Sequence, residues 1–300
     1  MLVIDIDQQR TGPGRRIHRR PGPRLFTLSA AVVVIAIVAG AATVILTSGT
    51  LHWNVIAEYF FAPVMLVGVA TTLMLTAVSF FGALVIGTIL ASMRISKNVT
   101  LRAIASAYIW FFRGTPLLVQ LIFWFNLGLF LPRLSFAGWS ISTNTVITPL
   151  SAAILGLLLN VSAFMCEIIR GGLIAVDIGQ TEAALSIGLM PNRALLRIVL
   201  PQAIRVILPA AGNLAIDLLK ATSLVYVIGT KEILGTVTSI SSQNFYVIEL
   251  LIVASIWYLV LVSLASFGQS RLEARLARSL STGQPRSRQN KQAALDREVI

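Results

Sequence analysis

Long uncharged apolar runs are the feature that most limits how this chain can fold. A membrane-spanning helix needs about 20 apolar residues. Four runs of about this length or longer contain no Asp, Glu, Lys or Arg: 59–93, 114–132, 134–166 and 250–270. A fifth run, 25–59, contains only Glu58. Charged residues make up 12% of the chain, against about 25% in soluble domains. The chain is therefore predicted to be a polytopic membrane protein.

The runs predict an all-α bundle of about six spans. Their expected positions are about 25–47, 63–93, 103–131, 148–169, 204–229 and 246–268. The net charge of +12 would suggest a nucleic-acid partner in a soluble protein. Here topology explains it better, because cytoplasmic segments collect Lys and Arg. With the N-terminus inside, only Arg133 and Lys231 fall on the outer side. We expect both termini in the cytoplasm and no nucleic-acid partner.

Four parts are expected along the chain. Residues 1–24 are a Pro-, Gly- and Arg-rich cytoplasmic arm, which either only sets the topology or also lies against anionic membrane lipid. Residues 25–59 are an additional first helix with its outer loop. Residues 60–270 form the core, and 271–300 form a basic cytoplasmic tail. Within the core, Ala83, Gly87 and Ala91 recur every four residues, a spacing that favours close helix packing in lipid.

A polar loop at 171–202 separates two of the apolar spans. Asp177 suits the start of a helix and Gly188 its end. The turn residues at 190–192 are followed by a second short helix, which is expected to stop at Pro201. The pattern predicts a helix–turn–helix elbow that is apolar on one side and charged on the other. By periodicity alone, an amphipathic helix on the bilayer surface or a plain connector would also fit.

Residue spacing in this elbow resembles the signature loop of bacterial ABC-importer membrane subunits. That loop reads E-A-A, three residues, G, nine residues, I, one residue, L-P. The same fixed positions are held here by Glu182, Ala183, Ala184, Gly188, Ile198, Leu200 and Pro201. Three further stretches resemble the polar-amino-acid subgroup of these permeases: FRGTPLLVQ at 112–120, EIIRGG at 167–172 and KATSL at 220–224. The resemblance covers about residues 60–270.

The resemblance implies that the elbow is a coupling helix pair, whose seven matched residues dock on a separate ATP-binding subunit. ATP and Mg would bind that partner and no cofactor would bind this chain, which also lacks a G-x-x-x-x-G-K-[ST] phosphate loop. The implied partners are a dimer of ATP-binding subunits, a second permease (itself or a sister chain) and an extracytoplasmic solute-binding protein. The sequence contains no evident catalytic set and no metal cluster, so we do not expect an enzyme.

Polar and charged residues within the predicted spans are the candidates for a substrate path, because intramembrane charges are costly and usually functional. The candidates are Arg113, Asn213, Asp217, Lys220, Thr222 and Ser223. Asp217 and Lys220, three residues apart on one helical face, would either pair only with each other or supply the acceptor and donor that a zwitterionic amino acid needs.

Two other charged positions have simpler alternatives. Arg113 lies before Pro116, where the helix is expected to kink or break beside a cavity; otherwise it is an interfacial arginine bound to lipid phosphate. Glu167 and Arg170 are expected to form a structural pair rather than a substrate contact.

These features predict the permease subunit of an ATP-driven importer for a polar amino acid, in a bacterial plasma membrane. One alternative is a self-sufficient secondary transporter or channel. Another is an importer of a related solute such as an opine or cystine, and a third is a membrane scaffold without transport activity.

Overall fold

The computed structural model describes residues 51–136 and 139–281, with side chains to residue 276, and scattered positions between 29 and 49. The arm 1–24, most of the first predicted span and the end of the tail lie outside the described residues. The chain divides into two compact units, residues 1–52 and 53–300. The elements named below belong to the second unit.

Helices dominate this second unit. In chain order they are α1 (Trp53–Phe60), α2 (Pro63–Ile95), α3 (Val99–Gly114), α4 (Leu117–Phe125), α5 (Leu127–Phe130), α6 (Thr143–Val146), α7 (Pro149–Ile174), α8 (Ile178–Ser186), α9 (Pro191–Ala194), α10 (Leu200–Ala221), α11 (Ile233–Asn244) and α12 (Val247–Ser281). A π-helical turn, Leu195–Val199, joins α9 to α10, and a 3-10 helix, Thr222–Ile228, follows α10. Strands β1 (Arg133–Phe136) and β2 (Trp139–Ser142) form an antiparallel hairpin, which the all-α prediction did not include.

Four helical segments are long and apolar enough to cross a membrane: α2, α7, 191–244 and 247–276. Helices α3 and α4 together make a fifth candidate span, bent by 102° at the break between them. With that bent pair taken as one span, each of the five spans predicted for the core has a matching candidate, and the break predicted at Pro116 is confirmed. The first predicted span, 25–47, lies outside the described residues, so a total of six stays a prediction.

The small-residue stripe of α2 packs against α7, and these two helices form the most extensive helix pair of the described chain. Ala83, Gly87 and Ala91 are all buried. A Cβ atom placed on Gly87 would lie 2.8 Å from Met165 Cβ, closer than side chains pack. Because lipid tails are as apolar as these side chains, such close contact, rather than exclusion of water, holds two spans together.

The second arm of the elbow differs from its prediction, because it does not stop at Pro201. Helix α9 runs through the π-helical turn directly into α10, and the Leu200 N–H donates to the Leu195 carbonyl. Pro201 follows directly after the π-helical turn, so the residue that lacks an N–H lies where the hydrogen-bond pattern of the helix is already shifted. The elbow is therefore joined without interruption to a spanning helix.

Helix α12 continues to Ser281 and so contains the boundary expected between core and tail, at residues 270 and 271. The division into core and tail stays a prediction.

Candidate functional site

The turn of the elbow depends on a glycine in the left-handed backbone region. Gly188 has φ +82°. Its N–H donates to the Leu185 carbonyl at 2.9 Å, and the Leu189 N–H donates to the Ala184 carbonyl at 3.1 Å. These two bonds form the Schellman motif that ends many helices. At the other end of α8, Asp177 Oδ1 accepts the Gly179 N–H at 2.7 Å, so both predicted ends of this helix are confirmed.

The seven signature residues occupy different environments in the elbow. Glu182, Ala183, Gly188 and Pro201 are exposed, whereas Ile198 and Leu200 are half-buried. Ala184 is only 2% exposed, and α8 packs against α9 and the π-helical turn. The small side chain of Ala184 therefore serves packing inside the elbow, whereas Ala183 lies on its surface.

The elbow also presents large apolar side chains to its surroundings. Those that are more than one-third exposed are Ile178, Leu185, Ile187, Met190, Leu195 and Leu196. A group of six exposed large apolar side chains on one polar loop is typical of a surface that contacts a protein or a membrane. The elbow can therefore dock against another surface while its own backbone stays capped.

Three of the six candidate substrate-path residues come together in one open pocket of about 340 Å³. The pocket lies between α3, α7 and α10. It is lined by Arg113, Phe164, Glu167, Ile168, Ala210, Asn213, Leu214 and Asp217. A guanidinium, an amide and two carboxylates thus meet among apolar side chains in an open groove between these three helices.

Each charged group at this pocket already has a neighbour. The Arg113 guanidinium carbon lies 5.2 Å from the centre of the Phe164 ring, within the range of a cation–π interaction. Arg170 Nη2 donates to Glu167 Oε2 at 2.7 Å, and Arg170 Nε donates to both Glu167 oxygens at 3.2 Å. The predicted structural pair of Glu167 and Arg170 is present, although Glu167 also faces the pocket.

The predicted pair of Asp217 and Lys220 is also present, with Lys220 Nζ 2.8 Å from Asp217 Oδ1. The side chains of Asp217 and Lys220 are 67% and 55% exposed. Because an exposed ion pair contributes little to stability, Asp217 is available for a stronger partner.

Thr222 and Ser223 are not brought to this pocket. The Thr222 hydroxyl is buried and donates to the Leu219 carbonyl at 2.7 Å, and the Ser223 hydroxyl donates to the Lys220 carbonyl at 2.8 Å. The helical period explains this, because at about 100° per residue Thr222 and Ser223 lie about 140° and about 120° around the helix axis from Asp217. Neither residue therefore shares the helical face that carries Asp217.

Sequence reasoning missed Glu232, a carboxylate that is fully buried. Its two oxygens accept the N–H groups of Leu234 and Gly235 at 3.0 and 2.7 Å, which caps the start of α11. Glu232 Oε2 also accepts the hydroxyl of Tyr258 on α12 at 2.6 Å. The available signal was an acidic residue just before a helical stretch, but its burial depends on helices distant in sequence.

A second missed group is the pair of buried amides Gln120 and Asn160, which lie against the break between α3 and α4. Asn160 Nδ2 donates to the Phe112 carbonyl at 3.0 Å and to Gln120 Oε1 at 3.2 Å. The signal in the sequence was a side-chain amide within an apolar helical run, because a buried amide needs a hydrogen-bond partner inside the protein.

The part of the chain that contains the elbow and the pocket matches a known protein family. Residues 83–278 match the family model described as "Binding-protein-dependent transport system inner membrane component". This range includes every residue of the elbow and of the pocket.

Individual relatives match over most of their length. An arginine transport system permease protein of Corynebacterium glutamicum, ArgU, is 36% identical over 90% of this chain and 87% of its own length. An L-cystine transport system permease protein of Bacillus subtilis, TcyB, is 35% identical over 78% of this chain and 95% of its own length. A nopaline transport system permease protein of Agrobacterium fabrum, NocM, is 38% identical over 68% of this chain and 84% of its own length.

Solved structures show the same fold. A crystal structure described as an amino acid ABC transporter with histidines superposes with a TM-score of 0.67 and 34% identity, over 75% of this chain and 99% of the other. A MetNI methionine ABC transporter superposes with a TM-score of 0.59 at 21% identity, over 71% and 96% of the two chains, a likeness of fold alone. With 196 residues matched to the family model, this chain belongs to the binding-protein-dependent transport system inner membrane components, and it is a multi-pass transport subunit rather than an enzyme.

Proposed function

We propose that this chain is the permease subunit of an ATP-driven importer that carries a polar amino acid across a bacterial plasma membrane, with both termini on the cytoplasmic side. The observation that carries the proposal is the pocket between α3, α7 and α10, where Arg113, Asn213 and two carboxylates meet. Relatives named for arginine, cystine and nopaline support an amino acid or an amino-acid derivative as the transported solute.

The chemistry of this pocket suits a zwitterion. Arg113 has no carboxylate partner among the contacts of the described chain and is held only against Phe164, so its guanidinium can bind the substrate carboxylate through two parallel hydrogen bonds. Asp217 supplies an acceptor for the substrate ammonium, which would compete with Lys220 for the same oxygens. Asn213 can donate to the one group and accept from the other.

Coupling to ATP would run through the elbow. The exposed apolar side chains of α8 and of the second arm, together with Glu182, form the surface that docks on an ATP-binding subunit. The second arm continues without a break into α10, and α10 carries Asn213 and Asp217. A movement of the elbow therefore displaces one wall of the pocket. ATP binding to the partner subunit would thereby favour one of two states, which differ in the side of the membrane to which the pocket opens.

The complete transporter would contain two permeases, formed by this chain with itself or with a sister chain, and two ATP-binding subunits that hold ATP and Mg. An extracytoplasmic solute-binding protein would deliver the amino acid. The loop from Pro132 to Thr148, which contains the β-hairpin, is the proposed docking surface for that protein, because it is a long loop on the side predicted to face outward.

Substrate binding to the assembled transporter in lipid nanodiscs tests the pocket. L-Arginine and L-glutamine serve as probes, and uptake is measured in liposomes with ATP enclosed. Replacing Arg113 by Gln removes a charge-assisted hydrogen bond of about 1.5–3 kcal/mol, so the dissociation constant should rise about 10- to 150-fold. Asp217→Asn should act in the same direction. Arg205→Gln, at an exposed position of α10 outside the pocket, is the matched control and should bind normally.

Unchanged affinity for both probes in Arg113→Gln and Asp217→Asn would refute the pocket as the substrate site. If Lys220→Ala alters neither affinity nor the range of substrates, Lys220 is only the ion-pair partner of Asp217. Uptake that continues after ATP is exhausted would instead favour a self-sufficient secondary transporter.

A further inference from the structure

The break between α3 and α4 leaves the Phe112 backbone carbonyl without its usual partner. In a continuous α-helix the Phe112 carbonyl would accept the N–H of residue 116, but that residue is Pro116, which has none. An unpaired carbonyl inside a membrane costs several kcal/mol. The Phe112 carbonyl accepts instead from two side-chain amides, Gln120 Nε2 at 3.1 Å and Asn160 Nδ2 at 3.0 Å.

These two amides also hold the other parts of the break. Gln120 Nε2 lies 3.1 Å from the Thr115 carbonyl and 2.6 Å from the Thr115 hydroxyl. Asn160 Nδ2 donates to Gln120 Oε1 at 3.2 Å. Gln120 and Asn160 are only 4% and 8% exposed. The end of α3, the first turns of α4 and the middle of α7 are thus tied together by one buried network.

The network lies one residue from the pocket. Arg113 directly follows Phe112, and its guanidinium rests on the Phe164 ring. Phe164 is four residues after Asn160 on α7, so both side chains project from the same face of that helix. Asn160 donates to the Phe112 carbonyl, and the Phe164 ring contacts the Arg113 guanidinium.

We propose that Gln120 and Asn160 form an amide clamp that fixes the angle of the broken span and thereby positions Arg113 in the pocket. This proposal rests on the proposed function, in which Arg113 binds the substrate carboxylate. The amides do not touch the substrate, and they act through the Phe112 backbone. Loss of the clamp therefore weakens substrate binding while the elbow and its coupling to ATP remain intact.

Two near-isosteric substitutions remove the amide donors and leave the volume filled: Gln120→Met and Asn160→Leu. The matched control is Asn126→Leu, because Asn126 Nδ2 also donates to a backbone carbonyl, that of Ile122 at 2.8 Å, but this hydrogen bond is exposed and lies at the end of α4. If Asn160→Leu does not assemble, Gln120→Met alone decides the test.

The angle of the break is measured first, without substrate, by electron spin resonance distance measurements. Spin labels are attached at exposed positions of α3 and α4, Ile104→Cys and Val119→Cys, in the full transporter carrying Cys166→Ser. The starting protein and the Asn126→Leu control should show one narrow distance distribution. Gln120→Met and Asn160→Leu should show a broader or shifted one. Distributions identical to the control would overturn the clamp.

The substrate readout separates positioning from stability. In ATP-driven uptake of L-arginine and L-glutamine, the clamp variants should raise KM about tenfold, which corresponds to the loss of about one hydrogen bond. The lost bond is one that holds the backbone beside the charged Arg113. The maximal rate per assembled transporter should stay within about twofold. A normal KM in both variants while Arg113→Gln weakens binding would overturn the positioning role alone. No effect of Arg113→Gln itself would instead overturn the proposed substrate site.

Discussion

Gly188 provides a test of whether backbone conformation or available space shapes the elbow. Its φ of +82° lies in the left-handed region, and a Cβ atom added there would meet no other atom within 4 Å. Within this chain, therefore, a side chain at position 188 is opposed by backbone strain and not by a clash. Three substitutions separate the two causes: Gly188→Asn, Gly188→Ala and Gly188→Val.

The expected magnitudes follow from the cost of the left-handed conformation. For an ordinary L-residue this cost is about 1–2 kcal/mol, which corresponds to about a 5- to 30-fold smaller population of the docking-competent elbow. Asn adopts this conformation far more readily, so Gly188→Asn should stay within about threefold of the starting protein. The β-branched side chain of Gly188→Val should cost more than Gly188→Ala, because it restricts the backbone further.

Affinity for the purified ATP-binding subunit is the appropriate assay, measured for permease in nanodiscs by surface-immobilised titration, with ATP-coupled uptake as the second readout. Insertion into the membrane should be unchanged in all three variants. The expected order of affinity is Gly, Asn, Ala, Val. If Gly188→Asn binds as poorly as Gly188→Val, the partner's groove excludes any side chain, and backbone strain is not the cause. If Gly188→Val couples normally, the assignment of the elbow as the coupling element is wrong.

Two further predictions concern the side of the bundle that contains α11. Glu232→Ala leaves the Tyr258 hydroxyl and two backbone N–H groups without their acceptor, so at about 1–3 kcal/mol each the permease should be destabilised by at least about 3 kcal/mol in denaturant titrations. Glu232→Gln keeps an acceptor and should lose less, and an equal loss would argue against the hydrogen bonds as the cause. Phe245 is 83% exposed with φ +61°, so Phe245→Asn should stabilise the permease by about 1 kcal/mol. An unchanged unfolding midpoint would contradict that expectation.

Local chemistry explains which features of the fold the amino-acid sequence predicts correctly. The length of an apolar run and the absence of an N–H in proline act at their own position in the chain. For this reason the spans of the core and the break before Pro116 were predicted correctly. The same holds for Gly188, because glycine is the residue that adopts a left-handed turn at no steric cost. The second arm of the elbow was predicted wrongly at Pro201, because a proline removes one backbone hydrogen bond but need not end a helix, and α10 also continues past Pro209.

The pocket was predictable only in part. Asn213 and Asp217 lie on one face of a regular helix, and their joint position follows from the helical period. Thr222 and Ser223 were included because they are polar residues in the same predicted span, but the same period places them about 140° and about 120° around the helix axis from Asp217.

What the sequence by itself determined is the candidate spans of the core, the break and the polar elbow with its signature spacing, because each depends on residues that are neighbours in the chain. What only the tertiary structure decided is which distant groups meet: Asn160 with the carbonyl of Phe112, and Glu232 with Tyr258. These contacts depend on how α2, α7, α11 and α12 pack, and van der Waals fit between apolar helices in lipid leaves little trace in a single sequence.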